Sequence, residues 1–197
     1  MPKLKKLKVN EIFYSIQGEG ARAGNPSIFI RLTGCDKTCG FCDTEFESGK
    51  LMSVEEILLH IQGWECKWIV WTGGEPALQL TEEIVDYFKK KGYRQCIETN
   101  GGSKVPENLD WVSVSPKVAE HVLEKNFPKG VTELRYVRHK GHTSVPSPSI
   151  GAAYYFLSPQ FDGNMINYEN LDACIKLCQK FPQWNLSVQL HKLWKVN

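Results

Sequence analysis

The sequence predicts an α/β fold: a partial, open TIM-like barrel of about six mostly parallel strands with few helices. Three observations point there. Strand-like runs alternate with helical ones, as in a parallel sheet joined by helical crossovers. Strands outnumber helices, and only three helical segments are clear. A chain of 197 residues is also short of the roughly 250 typical of a closed eight-stranded barrel.

The elements follow in order. Residues 7–14 and 27–32 (SIFIRL) read as strands rich in Ile and Phe. Between them, Gly18, Gly20 and Gly24 mark residues 15–26 as loop. Ser53 opens a helix through a capping box with Glu56, and Gly63 closes it. Residues 67–72 (KWIVWT) form a buried strand, and a helix over 81–91 stops at Gly92. Strands are predicted at 93–98 and 111–115. The alternation then weakens, with strands at 131–137 and 152–157 separated by a Pro- and Ser-rich loop at 144–149. Asn167 starts a last helix with Leu171, Cys174, Ile175, Cys178 and Phe181 on one face, and residues 185–190 predict a closing strand. No repeat or linker divides the chain, so one domain over 1–197 is expected.

Composition excludes several classes. With 42% apolar, 11% aromatic and 23% charged residues the chain can build a core, which argues against disorder. A net charge of +2 provides no strong field for polyanions, and nothing resembles a nucleic-acid-binding motif. The Lys3, Lys5, Lys6 and Lys8 cluster reads as a solvated end. No apolar run approaches the ~20 residues of a membrane helix. The start also lacks the apolar core of a secretory signal, so a cytoplasmic protein without a membrane partner is expected.

There are seven cysteines, an odd number that forbids complete pairing within the chain. Cys35, Cys39 and Cys42 stand in GCDKTCGFCDT, close enough to converge from one loop. A structural zinc site would want four ligands, and no fourth Cys or His lies nearby. A disulfide would leave one thiol over. A four-iron cluster is ordinarily held by four Cys; three would leave one iron open to a ligand. Cys174 and Cys178, four apart on an apolar helix face, read as core thiols, and so do Cys66 and Cys96. His60, His121, His139 and His142 lack ligand spacing, and Trp64, Trp68 and Trp71 read as packing around one strand.

The cysteine spacing, with Phe41 directly before Cys42, resembles the radical S-adenosylmethionine superfamily. Downstream, Thr72-Gly73-Gly74-Glu75-Pro76 at a strand end resembles that superfamily's segment gripping the methionine amino group. Within the superfamily, the chain closely resembles the 7-carboxy-7-deazaguanine synthase family. The motifs are Ser15-Ile16-Gln17-Gly18-Glu19-Gly20, Arg31-Leu32-Thr33-Gly34-Cys35 and Cys42-Asp43-Thr44, then Glu98-Thr99-Asn100-Gly101, Ser113-Val114-Ser115-Pro116-Lys117 and Gln189-Leu190-His191-Lys192.

That resemblance implies a radical-SAM-type fold with a [4Fe-4S] cluster on Cys35, Cys39 and Cys42, S-adenosylmethionine, and Mg²⁺ at Thr44. It implies a lyase that takes a hydrogen from carbon 6 of 6-carboxy-5,6,7,8-tetrahydropterin. The ring then contracts to 7-carboxy-7-deazaguanine with loss of ammonia, a step in making a queuosine precursor. It implies substrate contacts at Ile16, Gln17, Gly18, Glu19, Arg31, Thr72 and His191, with Asn197 at the tail. Cofactor contacts follow at Phe41, Asp43, Gly74, Glu75, Ser115, Pro116, Lys117 and the Ser158-Pro159-Gln160 turn. Implied partners are an electron donor such as flavodoxin or ferredoxin, and a second copy in a homodimer. Two other classes share parts of the pattern: a glycyl-radical activase, and a non-enzymatic metal module with four protein ligands. After His191-Lys192 the tail Leu193-Trp194-Lys195-Val196-Asn197 lacks the glycine usual in the family.

Overall fold

A computed structural model of the chain describes residues 4–40, 45 and 47–196. The described strands form one sheet of nine: β1 (Leu7–Ile16), β2 (Pro26–Leu32), β3 (Lys50–Met52), β4 (Trp68–Gly73), β5 (Arg94–Thr99), β6 (Trp111–Val114), β7 (Val131–Arg138), β8 (Ala152–Pro159) and β9 (Asn185–Leu186). Their spatial order is β3-β1-β2-β4-β5-β6-β7-β8-β9. From β2 through β9 every neighbouring pair is parallel, whereas β1 runs antiparallel to β2 and β3. The edges β3 and β9 do not pair with each other. The sheet is therefore open, as the chain length anticipates.

Among the described residues, five α-helices pack around it: α1 (Val54–Ile61), α2 (Glu82–Lys89), α3 (Glu120–Asn126), α4 (Tyr168–Lys180) and α5 (Leu190–Trp194). The capping box at α1 is present in both directions. The Ser53 backbone N–H donates to Glu56 Oε2 at 2.6 Å, and the Glu56 N–H donates to Ser53 Oγ at 3.2 Å. Asn167 caps α4 by accepting the Asn170 N–H at 3.0 Å. The buried face of α4 centres on Asn170, Cys174 and Leu177, a little rotated from the expected stripe.

Strand alternation separates two faces. Ile28, Ile30 and Leu32 of β2, Ile69 and Trp71 of β4 and Ile97 of β5 join α1 and α2 in one apolar cluster. Val114, Leu134, Tyr136 and Leu157 join Leu123 of α3 and Cys174 and Leu177 of α4 in a second. Val105 and Val112 pack against both clusters, so the apolar layer is continuous. The alternate positions turn the other way and are mostly polar. Register aligns Arg31 with Thr72, then Glu98 with Ser113 and Ser113 with Glu133, and Val137 with Ser158. Because strand side chains alternate, one register sets this whole polar surface at once.

Three expectations are corrected. The predicted strand at 185–190 is paired only over Asn185–Leu186, and Leu190 already begins α5. Ser158 and Pro159 end β8 rather than forming a turn, which leaves Gln160 outside the strand. The sequence reading also lacks β3, α3 and α5. These are short, and neither α3 nor α5 has a side-chain N-cap bond to announce it.

Candidate active site

The polar face of the sheet opens into two adjoining cavities. The first, about 690 Å³, is lined by Ile16, Gln17, Gly18, Glu19, Arg31, Thr72 and His191, together with Phe13, Phe29, Glu98 and Arg135. The second, about 570 Å³, is lined by Cys35 and Cys39, and by Gly74, Ser115, Lys117, Ser158, Pro159 and Gln160. Glu19, Gly74, Asn100, Ser115, Lys117 and Arg135 line both. Residues far apart in sequence thus meet at one two-compartment site.

The backbone explains how they meet. The Gly73-Gly74 turn lies against the end of β2: Gly74 N–H donates to Leu32 O at 3.0 Å, and Glu75 N–H to Gly34 O at 2.8 Å. A β-carbon on Gly74 would fall 2.1 Å from Gly34 O, so only glycine permits this approach to the cysteine loop. Asn100 Nδ2 donates to Asp36 Oδ1 at 2.9 Å, fastening that loop to the end of β5. Across the site, Leu190 N–H donates to Gly18 O at 3.0 Å, and Gly20 N–H to Ser187 Oγ at 2.9 Å. The C-terminal segment is thereby docked on the glycine loop after β1.

In the first cavity, Phe13 and Phe29 stack with centroids 5.0 Å apart as a cross-strand pair. Arg31 lies 5.6 Å from the Phe13 ring centroid, and its Nε is 2.6 Å from Glu11 Oε1. Gln17 Nε2 donates to Glu98 Oε1 at 3.1 Å. In the second cavity, Lys117 Nζ donates to Ser115 Oγ at 2.8 Å. Glu75 lines neither cavity. It is fully buried, and accepts from Thr99 Oγ1 at 2.8 Å, Ala77 N at 3.0 Å and Asn100 N at 2.7 Å. Burial nevertheless pushes its carboxyl above the usual range. Pro116 likewise lines neither cavity. Phe41, Cys42, Asp43, Thr44 and Asn197 lie outside the described residues.

The donor set of the second cavity fits an iron–sulfur cluster with an added ligand. Its thiols, Cys35 and Cys39, are soft donors of the kind such clusters take. Among the described residues, no group of three or more His, Cys, Asp or Glu could hold a metal ion by itself. Burial pushes the Cys96 and Cys174 thiols up to about 12, which keeps both protonated and poor as ligands. On the same cavity wall, the buried Ser158 hydroxyl has no hydrogen-bond partner among the described residues. A buried polar atom on a cavity wall without a partner is suited to a bound ligand.

Sequence reasoning passed over Glu98 and Arg135 as site residues, along with Phe13, Phe29, Gln189 and Lys192. A signal existed for Arg135. Glu133 and Arg135 sit two apart in β7, so two charges share one face of a strand in the middle of the sheet.

Comparison with known proteins agrees with this geometry. The Radical SAM superfamily model matches residues 29–133. A 7-carboxy-7-deazaguanine synthase from Bacteroides thetaiotaomicron is 36% identical over 188 residues, covering 94% of this chain and 96% of the relative. The enzyme of the same name from Haemophilus influenzae is 38% identical over 195 residues, covering 95% and 92%. The crystal structure of QueE from Escherichia coli superposes with a TM-score of 0.72 at 26% identity, covering 93% of each chain. A shared open sheet, a cysteine-lined cavity and full-length similarity together place the chain in the 7-carboxy-7-deazaguanine synthase family of the radical SAM superfamily.

Proposed function

We propose that the protein converts 6-carboxy-5,6,7,8-tetrahydropterin to 7-carboxy-7-deazaguanine and ammonia, supplying a queuosine precursor. One observation carries this reading: the cavity bearing Gln17, Glu19, Arg31, Thr72 and His191 shares a wall with the cavity bearing Cys35 and Cys39. A substrate in the first compartment would lie beside the chemistry of the second. A glycyl-radical activase acting on a polypeptide loop has no need of that polar compartment.

The cluster, with S-adenosylmethionine bound, supplies one-electron hydrogen abstraction. The chain supplies the rest. Cys35, Cys39 and Cys42 would hold the cluster. Gly74, Ser115, Lys117, Ser158, Pro159 and Gln160 would cradle the cofactor, with Glu75 keeping the Thr99–Asn100 backbone in place beneath it. The Arg31 guanidinium would meet the substrate carboxylate. Gln17 and Glu19 would read the N–H edge of the heterocycle, with Ile16, Gly18, Thr72 and His191 completing its walls. Phe13 and Phe29 provide an apolar floor that limits water. Thr44 would carry Mg²⁺ against the substrate carboxylate, and Phe41, Asp43 and Asn197 would extend the cofactor and substrate contacts. A single domain, a homodimer and an external electron donor such as flavodoxin or ferredoxin complete the proposal. No helix among the described residues is long and apolar enough to cross a membrane.

The test is anaerobic reconstitution with iron and sulfide, reduction, and addition of S-adenosylmethionine and the carboxytetrahydropterin, with products followed by mass spectrometry. Carboxydeazaguanine is expected. Cleavage of S-adenosylmethionine without turnover of the pterin would overturn the reading.

A further inference from the structure

Where the two cavities join, one guanidinium faces three carboxylates from three different parts of the chain. Arg135 on β7 pairs through Nη1 with Glu19, through Nη2 with Glu98 at the end of β5, and through Nε with Glu133 at 2.9 Å. Its side chain is only 5% exposed. Glu19 and Arg135 line both cavities, and Glu98 lines the first. Glu133 does not line either. It is 2% exposed, its Oε2 accepts the Ala21 N–H at 3.0 Å, and a β-carbon on Gly20 would collide with it.

The arrangement has a direction. Glu133 holds the glycine loop and places its charge beside Arg135 Nε, while the two terminal nitrogens donate to the carboxylates on the cavity wall. A planar guanidinium can direct its two terminal nitrogens at two separate carboxylates while a third charge lies beside Nε; an ammonium would be a point charge. Without that cation, three carboxylates would crowd a poorly solvated site and repel one another, so the two on the cavity wall would lose their aim. A carboxylate turned away from the shared space could not accept from an N–H edge there.

We propose that Arg135 is a positioning residue for substrate recognition: it holds the Glu19 and Glu98 carboxylates aimed into the shared space, where they accept the N–H donors of the heterocycle. This rests on the pterin reading above and deepens it. The other groups that bear on the cluster are Arg22 from the turn after Glu19, the Cys96 thiol on β5 and Gln17 on Glu98. Lys117 and Lys192 line the same cavities. Burial pushes Glu133 up to about 7, with Glu19 adding to the rise and the Ala21 N–H opposing it.

The test uses cluster-loaded protein as wild type, R135K, R135Q, the E19Q/E98Q variant and the same variant with R135Q added, with pterin binding followed by calorimetry. In R135Q pterin affinity should fall about tenfold or more. R135K should recover part of that loss, which a merely structural role would not produce. Once Glu19 and Glu98 are replaced, the further change at Arg135 should cost little, because the residue acts through them. If R135Q does not fold, R135K alone decides, with a smaller loss in the same direction. Unchanged affinity in the folded variants, or an equal loss with and without Glu19 and Glu98, would overturn the proposal. If wild type itself fails to bind the pterin, it is the substrate reading that falls, and this proposal with it.

Discussion

His191 closes over Gly18 so tightly that a β-carbon at residue 18 would lie 2.3 Å from its Nδ1 and 2.6 Å from its backbone nitrogen. The second distance matters more, because a side chain can swing away and a backbone cannot. Residue 18 is therefore the seat on which the C-terminal segment docks, reinforced by the Leu190 N–H to Gly18 O bond at 3.0 Å. Gly18→Ala should displace α5 and open the substrate compartment. Pterin affinity should fall by about tenfold or more, because lost positioning is costly. Cluster absorbance should persist, and limited proteolysis should cut the C-terminal segment sooner. Unchanged proteolysis would mean that the contact is not a seat.

The thiols divide by environment. Cys39→Ala should abolish the cluster, read as lost iron and lost charge-transfer absorbance. Cys174→Ala should keep both, since burial in the apolar layer holds that thiol protonated. Loss of iron in the second variant would contradict the assignment.

Arg31 sits on the cavity wall with its Nε held by Glu11. Arg31→Ala should leave cluster content intact and weaken pterin binding, raising KM more than it lowers kcat. Glu11→Gln should have a smaller effect in the same direction, because it loosens the guanidinium without removing it. Equal pterin affinity in Arg31→Ala and wild type would refute the role.

Glu75 acts as an internal strut. Its three accepted hydrogen bonds join the Gly73-Gly74 turn to the end of β5. Glu75→Gln replaces one acceptor oxygen by a donor and should cost about 1–3 kcal/mol of stability, seen as a lower melting temperature. An unshifted melt would show that the strut is dispensable.

Glu133 should make stability depend on pH. Burial, aided by Glu19 and opposed by the Ala21 N–H, pushes its carboxyl from 4.5 up to about 7. The folded state then binds more protons than the unfolded one across that interval, so stability falls as pH rises from 4.5 to about 7 and levels off above. Urea melts across this range should show the slope, and Glu133→Gln should flatten it. A slope unchanged in the variant would place its origin elsewhere.

Much of this was legible beforehand for a physical reason. The alternating Ile28, Ile30 and Leu32 in residues 27–32, the apolar run Trp68-Ile69-Val70-Trp71, and the Ser53–Glu56 capping box are local signals, and local signals survive in any fold that keeps those elements. The cysteine spacing was equally legible, because one short stretch of sequence, residues 35–42, carries all three. Elements three to seven residues long, such as β3, α3 and α5, have too little periodicity to stand out and exist because neighbours hold them.

The sequence alone therefore determined the alternating α/β order, the three-thiol loop, the glycine-rich segments and the family resemblance. Tertiary structure alone decided that Glu75 is a buried strut and not a cavity wall, and that Glu19, Glu98 and Arg135 share one charge cluster. Glu19 and Arg135 are separated by 116 positions along the chain. In sequence, Arg135 is one charge in a strand, equally compatible with solvent or interior. Parallel register across β5, β6 and β7 places that strand mid-sheet, and the two cavities on the polar face make its charge part of the site.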